Sequence, residues 1–151
     1  DMDSPRNRYQ RKDLQDNARA AGLHIVFPPR VFPVNSVKAM RGCLWIAQDA
    51  RAKSRYLPFV EATFAAYFSR EEDISQDDVL AAICREVGID APAFLEGIAR
   101  PDIKEQLKAN TDEAIRRGAF GSPTFFVGDD MYFGNDRLPL LRAAVLRAQA
   151  S

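Results

Sequence analysis

The chain has 151 residues, 46% hydrophobic and 28% charged, the balance of one soluble globular domain rather than a disordered segment. Lysine plus arginine and aspartate plus glutamate each number 21, so the formal net charge is zero and no steering toward DNA or RNA is expected. No run approaches the ~18 apolar residues of a membrane span, and no apolar stretch follows the basic start as in a signal peptide. A cytoplasmic protein without a membrane partner is the expectation.

Residues 1–7 are polar and read as a loose lead-in. Tyr9 to Ala21 has the period of a helix, with Leu14, Ala18 and Ala21 near one side and Gly22 as its stop. Arg6, Arg8, Arg11 and Lys12 make its start basic, which reads as a solvated helix face more often than a binding site. Leu23 to Phe27 reads as a short extended segment ended by Pro28-Pro29, and a second proline-bounded segment, Val31-Phe32-Pro33, leads to Asn35-Ser36. His24, the single histidine, has no orienting carboxylate or nucleophile beside it in sequence, so it reads as a structural or exposed residue rather than a general base. Asp16 and Asp49 read as ordinary exposed carboxylates.

From Asn35 the pattern becomes helical. Val37, Met40, Leu44 and Ala47 predict a helix to about Lys53, capped by Asn35 or Ser36. Leu57 to Phe68 predicts the next, with Pro58 in its first turn and a stripe of Phe59, Phe64, Tyr67 and Phe68. That stripe is either core packing or the lining of a pocket for an aromatic substrate. Ser75 to Asp78 reads as a cap before a helix bearing Val79, Ile83 and Val87 and stopped by Gly88, and helices starting at Ala91-Pro92 and Pro101-Asp102 follow. Cys43 and Cys84 are distant in sequence and lie in apolar helical patterns. Without Cys-x-x-Cys they read as buried thiols, and no zinc set is visible.

The last part changes character. Gly118-Ala119-Phe120-Gly121-Ser122-Pro123 is a tight entry, Thr124 to Val127 a strand, Gly128 to Asp130 a turn, and Met131-Tyr132-Phe133 a returning strand. Gly134 to Arg137 then leads into a helix over about Leu138 to Arg147. A two-stranded hairpin alone is marginal, so this is a thin sheet for the helices to cover.

The joined run Gly118-Ala119-Phe120-Gly121-Ser122-Pro123-Thr124-Phe125-Phe126-Val127, then Phe133-Gly134-Asn135-Asp136-Arg137-Leu138, resembles the C-terminal end of the 2-hydroxychromene-2-carboxylate isomerase family. That family stands with the kappa-class glutathione transferases in the DsbA-like branch of the thioredoxin fold. Arg6-Asn7-Arg8-Tyr9, Asp13-Leu14 and Phe32-Pro33-Val34-Asn35-Ser36 agree with it as well.

The resemblance implies an α/β, partial thioredoxin-like fold with an inserted all-helical subdomain. Residues 1–35 and 118–151 would belong to the thioredoxin-like part and 36–117 to the insertion. It implies that the chain begins after the family's opening β-α-β unit, and that Pro123 is cis. It also implies glutathione as cofactor, bound by Ser122 through its main chain, by Pro123, and by Asn135 and Asp136, which match the pair holding the γ-glutamyl end. Arg6 and Asn35 match substrate-binding positions; Asn35 alternatively is only a helix cap. The family's catalytic serine has no counterpart here, since Ser4 before Pro5 follows no hydrophobic strand, and no catalytic or metal residue is assigned.

The function implied is glutathione-dependent isomerisation of aromatic hydroxy-acids. A kappa-class-like transferase acting on an electrophile is the alternative, as is a catalytically incomplete binding or structural subunit. A homodimer, or a second chain bringing the missing unit, is the expected assembly.

Overall fold

The computed structural model describes residues 4–150. The chain divides into two compact units, one up to Leu107 and one from Lys108. The first is helical: α1 (Pro5–Ala20), α2 (Val37–Gln48), α3 (Tyr56–Phe68), α4 (Asp77–Glu86), α5 (Ala91–Ala99) and the start of α6 (Pro101–Arg116). The second holds the rest of α6, then β1 (Thr124–Val127), β2 (Asp130–Phe133) and α7 (Leu138–Gln149). This is the mostly helical α/β arrangement with a small sheet that the resemblance implies.

Of the polar lead-in, residues 1–3 lie outside the described residues, and the remainder is already helix or its cap. The Ser4 hydroxyl accepts the Asn7 N–H at 3.3 Å and Pro5 occupies the first turn, so α1 starts four residues before the expected Tyr9. Gly22, at φ +68°, ends it, and the Leu23 N–H closes back on the Ala18 carbonyl. Leu23 to Phe27 joins no strand among the described residues. Its polar backbone groups are met singly: the Val26 N–H donates to Phe68, the Ser69 hydroxyl to the His24 carbonyl, and the Gln15 amide to the Ile25 carbonyl.

α2 stops at Gln48, short of the expected Lys53. The Asp49 carboxylate accepts the N–H groups of Arg51 and Ala52, at 2.8 and 2.9 Å, and so offers the backbone a turn in place of another helical one. A 3-10 turn, Lys53–Arg55, then leads into α3. Asp90 caps α5 by accepting the Ala93 N–H, with Pro92 in the first turn.

The core of the first unit is built on aromatic rings. Phe94 is fully buried, edge-on to Trp45 (centroids 5.8 Å, 89°) and tilted against the equally buried Phe59 (5.2 Å, 48°). Ile46, Leu80, Ile83, Cys84 and Ile103 close around them. The rings approach the helices this closely because Gly42 and Gly97 have no side chain. A β-carbon at 42 would stand 2.6 Å from the Phe94 ring, and one at 97 would collide with the Trp45 indole.

In the second unit the strands pair antiparallel with Thr124 opposite Phe133 and Val127 opposite Asp130. Gly128, at φ +57°, makes the two-residue turn between them. α7 packs on β1, with Ala144 buried. The Arg117 guanidinium lies 4.0 Å from the centre of the Phe126 ring and donates to the Gly128 carbonyl, fixing the end of α6 to the hairpin. Among the described residues, no helix is long and apolar enough to cross a membrane.

Candidate functional site

The Ser122–Pro123 peptide is cis, as the resemblance implies. The strand ladder begins only at Thr124, so Ser122 lies outside it and is exposed. The Thr124 hydroxyl donates to the Gly121 carbonyl at 2.6 Å, which holds the bend from below. The Phe133 ring folds over this entry against Phe120, at 4.5 Å between centroids. It has room because residue 121 is glycine: a β-carbon there would stand 2.9 Å from the ring.

β2 then returns the chain to the same end of the hairpin. The Gly134 N–H donates to the Pro123 carbonyl at 3.0 Å, one step past the last ladder pair, so Asn135 and Asp136 arrive beside the proline bend. They form a single 3-10 turn, Asn135–Arg137, ahead of α7. Gly134 has φ +104° and ψ 153°, a conformation essentially confined to glycine. A β-carbon at this position would stand 2.5 Å from Asp136 Oδ1. Glycine therefore lets the Asp136 carboxylate fold back over the turn, where the Arg137 guanidinium pairs with it at 2.6 Å. Both side chains remain more than half exposed, which leaves the carboxylate open to a cationic partner.

Ser122, Pro123, Asn135 and Asp136 thus come together within the second unit. Arg6 and Asn35 belong to the first. Arg6 is exposed on the first turn of α1. The Asn35 side-chain oxygen accepts the Val37 N–H at 3.1 Å, so it caps α2. Ser4 is likewise a cap. His24 is exposed, and Asp16 is held by Lys12 and by Arg19 on the surface of α1. The Lys12 hydrogen bond, with its charge, keeps the Asp16 carboxyl below the usual range.

The aromatic stripe of α3 divides. Phe59 and Tyr67 are core, and Tyr67 with Phe64 and Phe68 lines an apolar cavity of about 480 Å³ within the first unit. Cys43 is half-buried in its wall, and burial raises its thiol pKa. Cys84 is fully buried, and its thiol is pushed up to about 12, chiefly by burial. Both are protonated near neutrality, the opposite of an activated redox cysteine. The Gly134 hinge beneath Asp136 and the Arg117 clasp on the hairpin were not legible in the sequence, whereas a pocket lined by the α3 stripe was one of the two readings it offered. The clasp joins residues that meet only across different elements, while the hinge lies two residues from Asp136 and rests on the backbone conformation of Gly134.

Known proteins resemble the chain in sequence and fold. The chain is 31% identical over 139 residues to a 2-hydroxychromene-2-carboxylate isomerase from Pseudomonas putida, covering 92% of the chain and 65% of that protein. It thus spans less than two-thirds of that relative's length. Against glutathione S-transferase kappa 1 from Homo sapiens, identity is 41% over 81 residues, covering 49% of the chain and 36% of the relative. The solved structure of a selenomethionine 2-hydroxychromene-2-carboxylate isomerase superposes with a TM-score of 0.75 at 32% identity, over 92% of this chain and 65% of that one. A solved Nitrosomonas europaea protein shares the fold alone, with a TM-score of 0.73 at 20% identity over 95% of this chain and 74% of that one. The DSBA-like thioredoxin domain family matches residues 1–146, and the chain belongs to that family.

Proposed function

We propose that this chain is the glutathione-holding part of a glutathione-dependent isomerase acting on an aromatic hydroxy-acid. The observation that carries the reading is the hydrogen bond from the Gly134 N–H to the Pro123 carbonyl, which brings Asn135 and Asp136 beside the exposed residue Ser122. The donor set fits a γ-glutamyl peptide. The free backbone edge at Ser122 pairs with a peptide as a strand would. Asp136 accepts from an ammonium group, and Asn135 and the N–H groups of the turn donate to a carboxylate.

When bound, glutathione supplies a single thiol for reversible addition to an electrophile. The residues of this chain bind and orient it, and none of them is assigned to the chemistry. Arg6 is proposed to meet the carboxylate of the substrate, and Asn35 to stand beside it while capping α2. Residues 36–117 are proposed as the helical insertion, flanked by the two parts of the thioredoxin-like domain. A cytoplasmic homodimer completes the reading.

Calorimetric titration with glutathione tests it. We expect saturable binding that Asp136→Ala weakens roughly twofold or more and Ser122→Ala leaves nearly unchanged, because alanine keeps the backbone groups. Equal losses in the two variants, or none with Asp136→Ala, would remove the site from this hairpin.

A transferase reading is favoured by the higher identity, 41%, to the kappa-class relative over part of the chain. It predicts conjugation of glutathione to an electrophile without isomerisation of a chromene carboxylate, so assaying both reactions separates the two.

A further inference from the structure

The apolar cavity of about 480 Å³ in the first unit is within the size range of small-molecule sites and far larger than a packing defect. Val34, Ala39, Val60 and Phe68 form much of its wall, and no charged side chain lines it. Met40 (46% exposed), Phe64 (60%) and Tyr56 (37%) stand at its rim, so it opens to solvent. Its polar groups are largely committed. The Thr63 hydroxyl donates to the Phe59 carbonyl at 2.7 Å and the Tyr67 hydroxyl to the Val31 carbonyl at 3.0 Å, while Ser36 is turned to the Met40 sulfur. Two remain for a ligand, the Tyr56 phenol and the Cys43 thiol, from the start of α3 and from α2. Burial raises the pKa of each, and a charge on Cys43 would raise that of Tyr56 further, so across the neutral range both are uncharged donors.

We propose that this cavity binds a flat, neutral aromatic molecule carrying one carbonyl or hydroxyl oxygen, and that it discriminates against the corresponding carboxylate. The parallel rings of Phe64 and Phe68 (interplanar 10°, centroids 6.1 Å) give a face for an aromatic ring. Tyr56 donates to the ligand oxygen. A carboxylate would leave water for walls that offer it no cation, a cost that one phenol cannot repay. A neighbouring cavity of about 430 Å³ shares Val60, Phe64 and Phe68 but carries Glu61 and His24, and is less apolar than this one. The inference stands apart from glutathione binding and uses no residue of the hairpin.

The test is fluorescence titration of the whole chain with 2-acetylnaphthalene and with 2-naphthoate, which share rings and differ in charge. The rate of Cys43 alkylation by iodoacetamide, followed by intact mass, is measured alongside. We expect saturable binding of the ketone, at least tenfold weaker binding of the carboxylate, and slower Cys43 alkylation as the ketone fills the site. Tyr56→Phe, which keeps the ring, should weaken the ketone about two- to tenfold. No saturable ketone binding by a chain whose circular dichroism shows it folded would overturn the proposal. Equal affinity for the carboxylate, unchanged alkylation of Cys43, or an affinity indifferent to Tyr56→Phe would do so as well.

Discussion

Replacing Gly134 with alanine tests whether this residue shapes the candidate glutathione site. Two penalties follow from the structure. The first is conformational: φ +104° with ψ 153° is nearly closed to residues with a side chain, and holding alanine there costs about 1–3 kcal/mol. At the size of this chain that lowers the melting temperature by roughly 2–12 °C. The second is local, since the new methyl group would stand 2.5 Å from Asp136 Oδ1 and must drive the carboxylate away from the turn.

Asp136→Ala should incur only the loss of function. Its pairing with Arg137 is an exposed ion pair, worth about 0–1 kcal/mol, whereas a charge-assisted bond to a ligand ammonium is worth about 1.5–3 kcal/mol. The difference, about 0.5–3 kcal/mol, is roughly two- to 150-fold in glutathione affinity. Gly134→Ala should therefore lose both stability and affinity, and Asp136→Ala mainly affinity. The double variant should bind no worse than Asp136→Ala alone, because the two changes act through one carboxylate. Calorimetry and thermal melts followed by circular dichroism read both quantities. Full glutathione affinity in Gly134→Ala, or strictly additive losses in the double variant, would refute the proposed link between hinge and carboxylate.

Phe94→Ala should destabilise the first unit by about 3–5 kcal/mol in urea unfolding, because the ring is fully buried between Trp45 and Phe59; Phe64→Ala, more than half exposed, should cost far less. The folded Cys84 pKa, about 12, is raised from 9.0, so its stabilising contribution is complete below about pH 9 and is lost as pH rises toward 12. Alkaline melts of wild type and Cys84→Ala should accordingly converge over that window, and parallel curves would contradict the assignment. Cys43 and Cys84 are free and protonated near neutrality, so we expect no turnover in an insulin-reduction assay, and sustained turnover by the purified chain would defeat that expectation.

Local chemistry wrote much of this protein openly into its sequence. Gly22 and Gly88 stop helices where their positive φ is needed, Pro92 and Asp90 start α5, and the Ser-Pro-Thr-Phe-Phe-Val run sets the bend and strand of the hairpin. These signals act over three or four residues, and so does the capping of α2 by Asn35. The early start of α1 at Pro5 was within the same reach, since Ser4 caps the helix and Pro5 opens it. What the sequence alone left undecided depends on residues far apart along the chain. Leu23 to Phe27 has the composition of a strand, yet the end of α3 and the Gln15 side chain take its backbone groups one at a time. The stripe on α3 is periodic throughout, but only packing decides that Phe59 meets Phe94 while Phe64 and Phe68 face a cavity. Period records which side chains share a helix face. It carries no record of what lies opposite, and that is settled only when α2 and α5 pack against α3.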